Sequence, residues 1–287
     1  MGAIYKKELK SYFTNMSGAV VIAVMLLVTG LMFRTYNMYY GTLTLHYTIS
    51  GSWLAFLIVV PILSMRVFAE ERKQRTDQLW MTAPVKLPEI VLGKYLAMVT
   101  VYAIPCAVVC IYPLVMLKFG DESLKWDYAC ILGFFLIGAA YLAIGMFISS
   151  CTESAIISAI LSLLFVLMTQ LMSSIFNYIS STTFSSLVFL VVLAAIVGLL
   201  VYYMTKNFYV SLGVFGALAV ICIVAYKVKS SWFDGRSESI MRIFDFNTHL
   251  SDITNGSLSI SNLLFFISYI VIGIILTVQS IQKRRWS

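Results

Sequence analysis

The sequence predicts an all-α protein: a polytopic bundle of about eight membrane-crossing helices, with a short charged helix in one loop and an amphipathic helix at the N-terminus. Three observations predict it. Hydrophobic residues make up 60% of the chain and charged residues 11%, whereas soluble domains run near 45–50% and ~25%. Apolar runs long enough to cross a ~30 Å hydrocarbon core, which takes about 20 helical residues, recur from end to end. The basic residues also gather on one side of these runs, as the positive-inside rule requires. No stretch is left over for a separate soluble domain, so residues 1–287 read as a single transmembrane domain.

Residues 1–16 carry Lys6, Lys7 and Lys10 ahead of the first apolar run, and no small-residue cleavage site follows Val20–Leu31. This start therefore reads as an amphipathic helix leading into an uncleaved first span. Eight segments follow: 17–35, 52–69, 91–117, 129–150, 155–174, 187–205, 209–226 and 262–281. The third holds Pro105 and Pro113, and proline removes a backbone donor, so this span is expected to bend. The fifth loses hydrophobicity at Gln170 and runs into Ser173, Ser174, Asn177 and Ser180–Thr183. Uncharged polar backbone at that depth fits a re-entrant hairpin sheltered by protein. The outer loop 227–261, with Trp232, Phe233, Phe244 and Phe246 among balanced charges, reads equally as a lid, an interfacial helix or an ordinary mobile loop. An extracytoplasmic accessory subunit is a further partner to be expected.

An even number of spans puts both termini on one side. With the N-terminus inside, 13 of the 20 Lys and Arg residues fall on the cytoplasmic side, among them Arg66, Arg72, Lys73, Arg75, Lys94 and Lys283. The acids divide almost evenly, so the net +7 lies on that side and the other is neutral. The predicted location is a cell membrane, multi-pass, with both termini cytoplasmic. This placement of charge fits a lipid bilayer and not nucleic acid.

The ionisable residues fall at segment ends or in loops. Ion-coupled carriers and channels need buried carboxylates, histidines or lysines at depth. His46 and His249 are expected to be solvated loop residues. No HExxH, GxSxG or paired aspartates suggest catalysis, and no GxxxxGK[ST] suggests nucleotide binding. The five cysteines, Cys106, Cys110, Cys130, Cys151 and Cys222, lack metal-ligand spacing and read as small hydrophobes. The expectation is a non-enzyme with no catalytic residue, metal or cofactor of its own, driven by a partner.

Segments 2 and 3 are joined by a charged loop, Phe68–Val91. Residues 70–84 are predicted to form a helix running from Glu70 to Met81, acids in its first turn, ended by Thr82–Pro84. Leu79, Trp80 and Met81 give it an apolar tip. Two readings are open: a solvated connector with Trp80 in the headgroup layer, or a rigid element that docks into a groove on a cytosolic partner.

The stretch Met65–Gln74, with Thr76-Asp77-Gln78-Leu79, Thr82-Ala83-Pro84-Val85 and Glu89–Lys94, resembles the signature of type-2 ABC exporter permeases. It is most similar to the gliding-motility-associated branch and its copper-nitrous-oxide-system relatives. Lys6–Phe13 resembles the amphipathic helix those permeases lay on the cytoplasmic face. Phe246–Leu250, Ile253, Gly256 and Lys283–Trp286 are similar to that branch too. Two departures stand out: the family usually has glycine before the threonine and glutamate two residues after it, where Arg75 and Asp77 stand nearby, and the branch has six spans against the eight counted here. Segments 6 and 7 are the extra pair.

The resemblance implies that the loop is a coupling helix seated in a cytosolic ABC ATPase subunit through Glu70, Glu71, Arg72, Thr76, Asp77 and Leu79, with Trp80 at its tip. It implies a second permease copy or paralogue, with ATP and Mg held by the ATPase, so that the chain is the permease subunit of an exporter. The alternative is a membrane assembly or scaffold protein that transports nothing. Ser154, Ser158 and Ser162, at i, i+4 and i+8 on segment 5, and Ala139 with Ala143 on segment 4, suit close helix approach, within one chain or across a dimer.

Overall fold

Residues 1–77, 86–120, 124–178, 245–255 and 259–286 are described by a computed structural model. Their regular structure is entirely helical. Five helical segments are long and apolar enough to cross a membrane: Ser17–Tyr39, His46–Lys73, Leu87–Phe119, Leu124–Cys151 and Ile260–Lys283. They correspond to predicted segments 1 to 4 and 8. Segments 6 and 7 lie outside the described residues, as do Leu79, Trp80 and most of the outer loop.

Helix α1 (Gly2–Thr14) is the predicted amphipathic helix. It ends at Asn15, and Met16 turns the chain with φ +57° into α2 (Ser17–Phe33). Gly18 sits so near Tyr12 that a Cβ there would stand 3.2 Å from the Tyr12 carbonyl. The tight corner lays α1 across the end of the bundle. At its far end α2 widens into a π-helical turn, Arg34–Tyr39. There the buried Asn37 amide donates to the Thr42 (2.7 Å) and Thr44 (3.0 Å) carbonyls and ties down the next loop.

The second span is composite: α3 (His46–Gly51), a 3-10 stretch Ser52–Ala55, α4 (Phe56–Ser64) and, past a turn, α5 (Ala69–Lys73). The third is interrupted in the stretch where a bend is expected. Helix α6 (Leu87–Val109) accommodates Pro105 but breaks at Cys110–Ile111, and α7 (Tyr112–Met116) restarts around Pro113, which has no N–H to continue the ladder. Helix α8 (Leu124–Cys151) is straight-sequence helix with an inner face rich in Gly and Ala. Helix α9 (Ala155–Tyr178) continues through Gln170, where a hairpin was expected, because helix satisfies its own backbone whatever the side chains. The remainder of that hairpin, Ser180–Thr183, is outside the described residues. Helices α10 (Phe246–Thr254) and α11 (Ile260–Trp286) close the chain.

The described residues fall in two units, Met1–Met168 with His249–Ser287, and Thr169–Thr248. In the first, an aromatic core joins α4, α6 and α8: Phe56 lies 4.9 Å from Phe134, 5.5 Å from Tyr141 and 6.1 Å from Tyr102, ring centre to ring centre. All four side chains are buried. The Tyr102 hydroxyl donates to the Phe134 carbonyl at 2.6 Å, which satisfies a polar group that lipid could not. In the second, Asp245 caps α10 by accepting the Thr248 N–H at 3.0 Å.

Ser158 and Ser162 are buried, Ser154 is half-buried, and Ile156, Ile157, Ile160 and Leu164 are exposed. The serine stripe is thus the covered face of α9. Ala143 packs within the chain: a Cβ on Gly273 of α11 would lie 3.0 Å from its Cβ and its backbone.

The two histidines are not solvated as expected. His46 opens α3 half-buried, with its Nδ1 shielded from solvent. His249 lies on α10, stacks on Phe265 at 3.9 Å, and its Nδ1 is 2.8 Å from the Asn262 Oδ1. Loop composition hid the two His249 contacts, since both partners lie on another helix.

Candidate functional site

The end of the bundle where α1 lies is built around one buried cation. Lys94 sits two turns into α6 and its side chain is 2% exposed. Its Nζ is 2.7 Å from the Glu71 Oε1, 3.3 Å from the Glu8 Oε1 and 2.9 Å from the Val67 carbonyl. The Phe68 ring lies beneath it, 5.0 Å from the Nζ to the ring centre. Two carboxylates, a carbonyl and an aromatic face replace the water an ammonium would otherwise hold, which is what a buried charge requires. Glu8 comes from α1 and Glu71 from α5, so Lys94 ties three elements together. Lys7 bridges the same two acids from the exposed side, at 3.5 and 3.6 Å. Screened by water, that outer pair adds little.

Helix α1 is seated there by close approach and by hydrogen bonds. A Cβ on Gly93 would meet Ile4 and the Met1 carbonyl at 3.3 Å. The Tyr5 hydroxyl is 3.1 Å from the Thr100 Oγ1. The Tyr12 hydroxyl, fully buried, donates to the Leu63 carbonyl at 3.0 Å, one of the last carbonyls of α4, which helix geometry leaves without a partner. Burial, with Glu8 and Glu71 adding to it, holds this phenol well above its ordinary pKa, so it remains a donor. Tyr12→Phe is expected to cost about 1–2 kcal/mol by stranding that carbonyl, read as a lower midpoint in thermal unfolding of the detergent-solubilised protein.

Helix α8 holds the loop from the other side. The Ser149 Oγ accepts both the Phe68 and Ala69 N–H groups at 3.2 Å, and the Arg72 Nη1 donates to the Thr152 carbonyl at 3.2 Å. The helix predicted to run unbroken from Glu70 to Met81 is interrupted: α5 stops at Lys73, and Arg75 takes φ +56°. There the Thr76 N–H returns to the Glu71 carbonyl at 3.0 Å. The propensity that favours helix as far as Met81 is overridden at Gln74–Arg75 by this wide turn.

Of the predicted contact residues, Glu70, Glu71, Arg72, Thr76 and Asp77 are described, and Leu79 and Trp80 are not. Glu70 pairs with Arg66 at 3.5 Å, both well exposed. Glu71 faces inward to Lys94 and Arg72 reaches α8, so these two hold the loop in place. A cavity of 610 Å³ opens between α1 and the loop, lined by Lys7, Glu8, Ser11, Tyr12, Glu71 and Lys94 among others. Lys94, Glu8, Tyr12 and Ser149 were not singled out by sequence as site residues. The signal present was an acid and a lysine near the ends of apolar runs, but nothing in one sequence pairs positions 8, 71 and 94.

Among the described residues, no group of three His, Cys, Asp or Glu is placed to hold a metal. At the opposite end of the bundle, His46, Asp127 and Cys130 line a second cavity of 450 Å³. There the Asp127 Oδ1 accepts the Leu45 N–H at 3.0 Å at the start of α3.

No curated protein matches this chain. The family model described as ABC-2 family transporter protein matches residues 22–226, which covers four of the five described membrane-crossing segments and the loop held by Lys94. A multi-pass helical body, with a charged loop fastened between its spans, therefore has a family: the chain belongs to the ABC-2 transporters, as a membrane permease component of an ABC transporter.

Proposed function

We propose that the chain is the permease subunit of an ATP-driven exporter and that residues 70–84 dock it to a separate cytosolic ATP-binding subunit. The observation that carries this reading is the Lys94 joint. A loop that only connected two spans would need no buried ion pair, whereas one that receives force from outside must be fastened to the helices it moves. Glu71 and Arg72 fasten it, and Glu70, Thr76 and Asp77 keep part of their surface open to solvent. ATP and Mg belong to the ATPase, two permeases enclose the substrate path, and both termini are cytoplasmic. Within the family, the loop residues Met65–Gln74 and Thr82–Val85 support placement in the gliding-motility-associated branch. The Ser154, Ser158, Ser162 face, covered within the single chain, serves packing inside it.

Co-expression with the ATP-binding subunit tests the reading. Leu79→Asp and Trp80→Asp are expected to lose the ATPase from the purified complex while the permease keeps its unfolding midpoint, because an acid cannot enter a desolvated apolar pocket. Retention of the ATPase at full turnover by both variants defeats the proposal.

A further inference from the structure

Four consecutive residues at the end of α8 each bond to another element. Ser149, fully buried, takes the first two N–H groups at the start of α5, at 3.2 Å each. The Ser150 carbonyl accepts the Ser280 hydroxyl of α11 at 3.3 Å. The Cys151 Sγ lies 3.7 Å from that same hydroxyl, and the Thr152 carbonyl accepts Arg72. The loop and α11 are far apart in sequence but meet on these four residues.

Higher up, α8 and α11 touch backbone to backbone. A Cβ on Gly273 would stand 3.0 Å from the Ala143 carbonyl carbon and oxygen. Gly273 faces Ala143 and Ser280 faces Ser150, so the pairing keeps one register over seven residues, two helical turns or about 10 Å. The helices run side by side in the same direction without slipping. Small residues in contact leave no soft side chains to absorb shear, and a repeated seven-residue register is the geometry of helices that stay in step.

We infer that α8 and α11 move as one lever and that Ser149 is the positioning residue fastening the loop to it. The displacement of the loop then passes to the last helix of the chain, not only to the two spans that flank the loop. The Ser149 hydroxyl suits this role because the first N–H groups of a helix have no partner of their own. Their capping is supplied here by a different helix, which ties the orientation of α5 to α8.

This inference rests on the proposed docking of an ATPase, and the test separates the two. In the complex co-purified with its ATP-binding subunit, Ser149→Ala is expected to keep the ATPase bound. The stimulation of MgATP hydrolysis by the permease should fall about fivefold or more, within the range of coupling effects. Ser149→Thr, which restores a hydroxyl acceptor, is expected to recover it. A second variant, Ser280→Cys, places a thiol beside Cys151. Oxidation with copper–phenanthroline should bridge α8 to α11 and leave turnover unchanged, since the two do not move apart. Wild-type stimulation in Ser149→Ala overturns the fastening, as does loss of the ATPase itself from that variant. Arrest by the bridge, reversed by dithiothreitol, overturns the common lever. A wild-type permease that retains no ATPase removes the functional reading and this inference together.

Discussion

Lys94→Ala is expected to destabilise the permease by about 3 kcal/mol, at the lower end of the 3–5 kcal/mol seen when one partner of a buried ion pair is removed. The lower end applies because the Glu8 and Glu71 side chains are 13% and 16% exposed and keep some access to water. Without the ammonium, two carboxylates that shared it face each other across α1 and α5, and the Val67 carbonyl loses its donor. The strain therefore falls on the loop. Two readings check it: the unfolding midpoint in detergent, and the susceptibility of the loop to protease under native conditions. Both should shift together. Lys94→Met combined with Glu8→Gln and Glu71→Gln should recover most of the midpoint, because it removes the charges along with the pair. If Lys94→Ala unfolds with the wild type and its loop resists cleavage equally, the buried cation does not hold the joint.

Gly138→Ala carries the second large effect. A Cβ on Gly138 would collide with the hydroxyl end of Tyr102, 2.7 Å from its Cε1 and nearer still to its Cζ and hydroxyl oxygen. That ring is fully buried between Phe56, Phe134 and Phe135, the last stacked on it at 5.7 Å. Turning it aside would break its 2.6 Å hydrogen bond to the Phe134 carbonyl. Overpacking of this kind costs about 1–3 kcal/mol, and a phenol left unbonded inside the bundle adds about 1–3 more. The variant is expected to show a clearly lowered unfolding midpoint and a reduced yield of monodisperse protein in detergent. Tyr102→Leu in the same chain should relieve most of it by removing the ring. A Gly138→Ala protein as stable as wild type shows that α6 and α8 are not in this contact.

These two sites also mark where sequence reasoning reaches its limit. Lys94 was visible as a basic residue near the start of a span and counted toward the orientation. Its burial, and its pairing with residues 8 and 71, depend on α1 folding back over the bundle. Gly138 is, in the sequence, one small residue among several on α8, and only the arrival of Tyr102 from α6 makes its missing Cβ necessary. The interrupted helix of the charged loop shows the same limit in reverse. Propensity favours helix through Glu70–Gln74, but the wide turn closing on Glu71, and the anchors to Lys94 and Ser149, stop it at Lys73.

What the sequence alone determined is the class and the outline. Helical spans follow from runs of about 20 apolar residues, because a bilayer leaves the backbone no other local way to satisfy its hydrogen bonds. The helix break ahead of Pro113, the amphipathic first helix and the position of the charged loop follow from local chemistry in the same way. The family resemblance also lay in consecutive residues, Met65–Gln74 above all. Tertiary structure decided how the loop is held: Lys94 against Glu8 and Glu71, Ser149 on the N–H groups of Phe68 and Ala69, and Gly273 against Ala143. Each pairs residues that are far apart in the chain. A buried charge or a close backbone contact is specified by what surrounds it in space, and one-dimensional patterning carries no record of those surroundings.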